Sequence, residues 1–271
     1  MNNTENKNPI IAESINLSYT KGEYSFFTKS VARLVIIALA ILRACGSVVT
    51  GRPAAELVNC LWIVHHMSNK LEGIDSVSSS VHDNCFCKRW REIKDCICAH
   101  CYAHNQQSYQ TGLKEHNILN GIILRNVLIP VAAFKHLQFI FPYIRIESFG
   151  DVANVIQARN YLRIIKAFPK KRCAIWSKNI LIWEQAIKEE GKPRNTTYVH
   201  SSRYINKPDN VSEYEFVDHV FTVYTREFAT NNNVVINCGG RKCMECIKRR
   251  VNCYYRVNKH NNNYYINELL K

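Results

Sequence analysis

YIRIESFGDVANVIQARNYLRIIKAFPKKRCAIWSKN, residues 143–179, is the stretch that decides the fold. Its ends, YIRIES (143–148) and RCAIWS (172–177), are short runs rich in β-branched and aromatic residues, as strands are. Between them, Val152 to Phe168 carries apolar residues at helical spacing. A strand, a helix and a second strand of these lengths form a parallel crossover unit, not a hairpin.

The same alternation continues on both sides. Ile180 to Glu190 reads as a helix, and TTYVHSS (196–202), DHVFTVYT (218–225) and VVINC (234–238) read as strands. Upstream, GIDSVSSSV (73–81) is a first strand, and Glu115 to Lys135 is a helix broken near Pro130. The expectation is an α/β fold with a mainly parallel sheet. Phe26 to Cys45 and Ala54 to Lys70 both carry helical spacing, with Gly51-Arg52-Pro53 between them. Residues 1–71 are therefore expected as an N-terminal helical extension, and 72–271 as the α/β domain, with a cysteine-rich loop near the C-terminus.

The 271 residues are 46% hydrophobic, with 10 Gly and 7 Pro, which suits one large domain with an appendage. The first residues, MNNTENKNPIIAESIN, lack the basic and apolar regions of a secretory signal. The most apolar run, Leu34 to Leu42, falls far short of the ~20 residues that a bilayer requires. The sequence thus predicts a cytoplasmic chain with no membrane span, where clustered thiols hold metals more often than they form disulfides.

The strand ends carry the chemistry. Each apolar run stops in small or polar residues: Ser148-Phe149-Gly150-Asp151, Ser177-Lys178-Asn179, Ser201-Ser202, Tyr224-Thr225 and Cys238-Gly239-Gly240. In parallel sheets and barrels, ligands bind at the carboxyl ends of the strands. One cysteine group follows the first expected strand and the other follows the last, so both fall on that rim. Cys238, Cys243, Cys246 and Cys253, spaced C-x₄-C-x₂-C-x₆-C, are a full tetrahedral set for zinc or a closed [4Fe–4S] cluster. Cys85, Cys87, Cys96, Cys98 and Cys101 allow either a closed four-ligand site or an open three-ligand one. Cys45, Cys60 and Cys173 stand alone in apolar surroundings and are expected in the core.

The formal charge is +14, falling to roughly +11 once thiolates at two metal sites are included. A chain this basic suits nucleic acid or another polyanion as a partner. Lys170-Lys171-Arg172, Lys248-Arg249-Arg250 and the aromatic Cys253-Tyr254-Tyr255-Arg256 tail are the places to look.

CICAHCYA (96–103), YIRIESFGDV, AIWSKN, KPRNTTYVHSS, VFTVYT and INCGGRKCMECI, in that order over residues 72–271, resemble the phage gene-product-88 domain family. The Cys98-x₂-Cys101-Tyr102-Ala103 element is in turn similar to the cluster loop of radical S-adenosylmethionine enzymes. That resemblance implies a partial (β/α)6 barrel-like parallel sheet. It implies an open [4Fe–4S] cluster on three thiolates, S-adenosylmethionine on the remaining iron, and an electron donor. The superfamily's C-x₃-C-x₂-C spacing would place its first ligand at Lys94, so the third thiolate here comes from Cys85, Cys87 or Cys96. By position, Tyr102, Ser148, Gly150, Asp151, Ser177, Lys178, Ser201 and Ser202 would surround the cofactor, with Asp151 or Glu147 accepting from its ammonium. The competing expectation is a non-enzymatic, zinc-stabilised nucleic-acid-binding protein.

Overall fold

The computed structural model describes residues 51–239, 242–248, 253–257 and 264–270, together with Ala38. The helix expected over Phe26 to Cys45 lies, Ala38 apart, outside the described residues. Helix α1 (Gly51–Asn59) places Ala54, Leu57 and Val58 in the main core. It does not run on to Lys70, as helical spacing suggested. Val64–His66 is instead strand β1, antiparallel to β2 (Ile74–Val77). Two left-handed residues, Asn69 at φ 68° and Gly73 at φ 84°, turn the chain between them. His65 Nδ1 then meets Asp75 at 2.6 Å and His66 Nε2 meets Ser76 Oγ at 2.9 Å, cross-strand pairs that a helix would not offer.

From β2 onward, each strand pairs parallel with the next. β3 (Tyr143–Ile146), β4 (Arg172–Ser177), β5 (Thr196–Ser201), β6 (His219–Tyr224) and β7 (Tyr265–Leu269) follow in chain order. Among the described residues the sheet has seven strands and is not closed, because β2 and β7 share no ladder. The two nevertheless come near each other: Lys70 Nζ, just before β2, donates to Glu268 Oε1 of β7 at 2.8 Å.

Segment 234–238, expected as the last strand, is a loop leaning on β7; the N–H groups of Asn237 and Cys238 both donate to the Asn267 carbonyl. The last strand among the described residues, β7, carries Asn267 and Glu268 in its centre and follows an Asn-rich run, which hides it from pattern reading. The second cysteine group therefore precedes the last strand instead of following it.

The connecting segments 115–135, 152–168 and 180–190 are helical, as spacing called for, whereas no pattern called for the short helices over 85–91, 102–109 and 226–231. Helices α2 (Cys85–Arg91) and α3 (Tyr102–Tyr109) carry the first thiols, and α4 (Thr111–Asn126) and α5 (Val131–Phe134) lie on either side of Pro130. Helix α6 (Val155–Ala167) starts at Asn154, whose Oδ1 accepts from Gln157 N at 2.9 Å. Helix α7 (Ile180–Glu190) follows β4, and the short α8 (Arg226–Asn231) follows β6. Ile123, Tyr161, Leu162 and Trp183 of these helices pack on Ile144, Ile146, Ile175 and Tyr198 of the sheet.

On the opposite face, Ile74 and Ala174, with Tyr143 and Trp176 beside them, pack on Ile247 and Tyr254 from the cysteine-rich region. Helix α9 (Cys243–Lys248) thus lies against the sheet. Gly73 permits it: a Cβ there would stand 3.0 Å from Met244 Cγ. Among the described residues, no helix is long and apolar enough to cross a membrane.

Candidate functional site

A single cavity of about 700 Å³ opens beside the carboxyl ends of the parallel strands and reaches both cysteine groups. The first group is built by three local devices. Asn84 caps α2 by accepting from Phe86 N at 2.9 Å and Cys87 N at 3.3 Å, which fixes Cys87 in the first turn. Cys96 caps the 3₁₀ turn Ile97–His100, its sulfur accepting from Cys98 N at 3.4 Å. Cys101 ends that turn and opens α3.

These devices separate the five thiols. Cys87, Cys98 and Cys101 line the cavity. Cys87 and Cys101 both pack on the small apolar cluster of Val81, Ala103 and Phe149. Cys85 is exposed at the first residue of α2, and Cys96 is fully buried; neither lines the cavity. Burial pushes the Cys87 thiol up, and the nearby Asp151 carboxylate and the other thiols add to this. The Cys96 thiol falls to about 7, chiefly through hydrogen bonding with the Cys98 side chain, which in turn is raised. Lys178 lies among them. Burial works against its charge, yet Cys98, Asp151, Cys101 and Cys87 hold its ammonium above the usual lysine range.

Cys238, Cys243, Cys246 and Cys253 all line the far side of the same cavity. Three segments hold them there: Cys238 N donates to Asn267 O at 2.9 Å, Cys243 N donates to Lys70 O at 2.8 Å, and Thr197 Oγ1 donates to Cys253 O. Burial raises the thiols of Cys238 and Cys243, and pushes Cys253 up to about 12. Among the described residues, no three Cys, His, Asp or Glu side chains stand together in the arrangement of a formed metal site. The donor chemistry does fit: two sets of partly buried thiols, each with a lysine beside it, are groups that a bound cation would ionise.

The rim is a hydrogen-bonded frame. Glu147, buried at φ 56° just beyond β3, receives four bonds. Its Oε2 accepts from Ser79 N at 3.0 Å, and its Oε1 from Ser79 Oγ and Tyr161 Oη at 2.7 Å and Gln157 Nε2 at 3.0 Å. Burial raises this carboxyl, the bonds pull it back, and the balance lies at about 7. Asp151 Oδ1 accepts from Val152 N at 2.8 Å and from Ser177 Oγ, while Oδ2 accepts from Lys178 N at 2.7 Å. Ser148 is tied to Ser78 at 3.0 Å, and the Tyr102 hydroxyl donates to the Ser148 carbonyl. Ser201 lines the cavity, but Ser202 does not, since its hydroxyl pairs with Thr222 at 2.9 Å.

Gly150 has a use of its own. A Cβ there would stand 2.5 Å from the Ser79 carbonyl and 2.8 Å from Glu147 Oε2. Gly150→Ala is expected to lose about 1–3 kcal/mol of stability in urea unfolding, the usual range for overpacking. Wild-type stability in that variant would mean that the rim is looser than described.

Arg145 and Trp176 also line the cavity, and the sequence reading passed over both. The available signal was the charged residue inside YIRI, since the strands of a parallel sheet covered on both faces are apolar throughout. The rings of the basic tail, by contrast, are wholly or partly covered. Tyr254 is 3% exposed, so its ring is not free to stack on a base, and Arg172 lies over one face of the half-buried Tyr255 at 4.4 Å. Arg249 and Arg250 lie outside the described residues. Compared with protein-family models, curated proteins and solved structures, the chain matches none of them.

Proposed function

We propose that this chain is an iron–sulfur protein of the radical S-adenosylmethionine type, related to the phage gene-product-88 domain proteins that it resembles. One observation carries the reading. Of five thiols in the first group, Cys87, Cys98 and Cys101 reach the cavity, while Cys85 is exposed and Cys96 caps a turn. Three ligands leave an open iron on a [4Fe–4S] cluster; four would close it. The six parallel strands in chain order, with the Lys70–Glu268 contact across the gap, are consistent with a partial (β/α)6 barrel around this site. Cys238, Cys243, Cys246 and Cys253 would hold a second centre, zinc or [4Fe–4S].

When bound at Cys87, Cys98 and Cys101, and reduced by an external donor, a [4Fe–4S] cluster would supply the one electron needed for reductive cleavage of S-adenosylmethionine. The chain's own groups bind and orient. Asp151 Oδ2, with one backbone donor already on it, keeps a lone pair for an ammonium. The Lys178 side chain meets a carboxylate beside the thiolates, and Ser201 offers a hydroxyl from the neighbouring strand end. Glu147, with its four donors, positions the Gly150–Asp151 turn and does not itself bind the cofactor.

The test is anaerobic reconstitution with iron and sulfide, followed by reduction and addition of S-adenosylmethionine. A changed electron-spin spectrum of the reduced cluster and slow release of 5′-deoxyadenosine are expected. Asp151→Asn should weaken the spectral change and leave the iron content intact. Folded protein that takes up zinc and no iron at the first group sinks the reading.

A further inference from the structure

Arg145 has no partner befitting its charge. It projects from the centre of β3 between two small neighbours in register, Ser76 and Ala174, which leaves room around it. Its guanidinium carbon lies 4.0 Å from the centroid of the Trp176 ring. Among the described residues it makes no hydrogen bond or ion pair, and its buried Nε has no partner. A guanidinium without an acceptor in such a place is expensive unless a ligand completes it. Arg145 and Trp176 both line the cavity, and a guanidinium held over a ring keeps its edge N–H groups for an oxyanion, which it can grip with two bonds.

The surrounding charges agree. Of the carboxylates lining the cavity, Glu268 is paired with Lys70, while Glu147 and Asp151 are held by hydrogen bonds at the rim. The walls next to Trp176 are apolar: Phe221 meets its ring edge-on at 4.9 Å, and Ile266 and Val223 line the same side.

We propose that Arg145, lying on Trp176, anchors an oxyanion, a carboxylate or a phosphate ester, on a largely apolar or aromatic molecule that is the substrate of this site. The inference rests on the proposed function for the word substrate; the anion site itself stands on Arg145 and Trp176. The alternative role for Arg145 is to balance charge on the C-terminal thiols, whose environment it shares. Lys70 already serves there, with Cys238 and Cys243 among the groups that support its ammonium.

Titration calorimetry on the metal-reconstituted protein, without S-adenosylmethionine, separates these roles. Benzoate, phenyl phosphate and neutral benzamide share a ring and differ in the head group. Binding of at least one anion at tenfold or more over benzamide is expected, and whichever of the two prevails identifies the head group. Arg145→Gln should abolish that preference, while Arg145→Lys should keep part of it. Equal binding of all three, no binding by any, or an unchanged preference in Arg145→Gln overturns the proposal. Loss of metal from the C-terminal thiols in Arg145→Gln, with no anion preference in the wild type, establishes charge balance instead. Iron uptake and the response to S-adenosylmethionine are read separately on the same preparation, so failure of the enzyme reading is visible independently of the anion result.

Discussion

Cys98→Ala and Cys101→Ala, reconstituted anaerobically, are each expected to lose the iron of one centre and all release of 5′-deoxyadenosine. Two thiolates cannot hold a cubane cluster, and no spare thiol stands in the right place. Cys85 is exposed away from the cavity, and the Cys96 sulfur is committed to the cap of the 3₁₀ turn. Cys87→Ala should behave as the first two do. Cys85→Ser and Cys96→Ser should both keep full iron, the latter because a serine hydroxyl can take over the cap of the turn. Iron and acid-labile sulfide per chain decide the matter. Full iron in Cys87→Ala together with loss in Cys96→Ser would move the third ligand to Cys96.

Glu147→Ala is expected to cost about 4 kcal/mol at pH 5, because it strands the Ser79 N–H and the Tyr161 hydroxyl in the core along with two further donors. The loss should shrink as pH rises. In the folded chain this carboxyl keeps its proton to about pH 7, against an ordinary value of 4.5. Between those limits the unfolded chain binds fewer protons than the folded one, so the wild type loses stability with rising pH, by about 3 kcal/mol from this group. Glu147→Ala has no such group, so its deficit narrows by that amount between pH 5 and pH 8. Urea unfolding of both proteins at several pH values measures it; a deficit independent of pH would show that the carboxylate is ionised throughout.

The sequence was most legible where the pattern is strong and local. Residues 172–177 and 180–190 are the strand and helix that spacing called for, because an amphipathic helix and a buried strand differ in period. It misled where tertiary pairing overrides pattern. His65 and His66 extend an apolar run at helical spacing, but their partners Asp75 and Ser76 make that run a strand. For β7, the clue lay in a ladder with β6 that no local pattern reveals. In the site, residue type found the thiols and the Asp151 turn. It did not tell Cys87 from Cys96, since that depends on which sulfur caps a turn. Nor did it find Arg145, whose meaning lies in the absence of a partner.

The meeting of Lys70 and Glu268 has a consequence for how the protein is made. The two residues are 198 apart along the chain. Closing a loop of that length carries an entropic penalty of about 5 kcal/mol, more than a partly exposed ion pair of ~1 kcal/mol returns. The contact therefore follows from the docking of β7 on β6 and does not drive it. During synthesis β7 leaves the ribosome after β6, so the nascent chain carries a bare β6 edge until residues 265–269 emerge. A ribosome stalled before residue 265 would present that edge to neighbouring chains, as a template for aggregation.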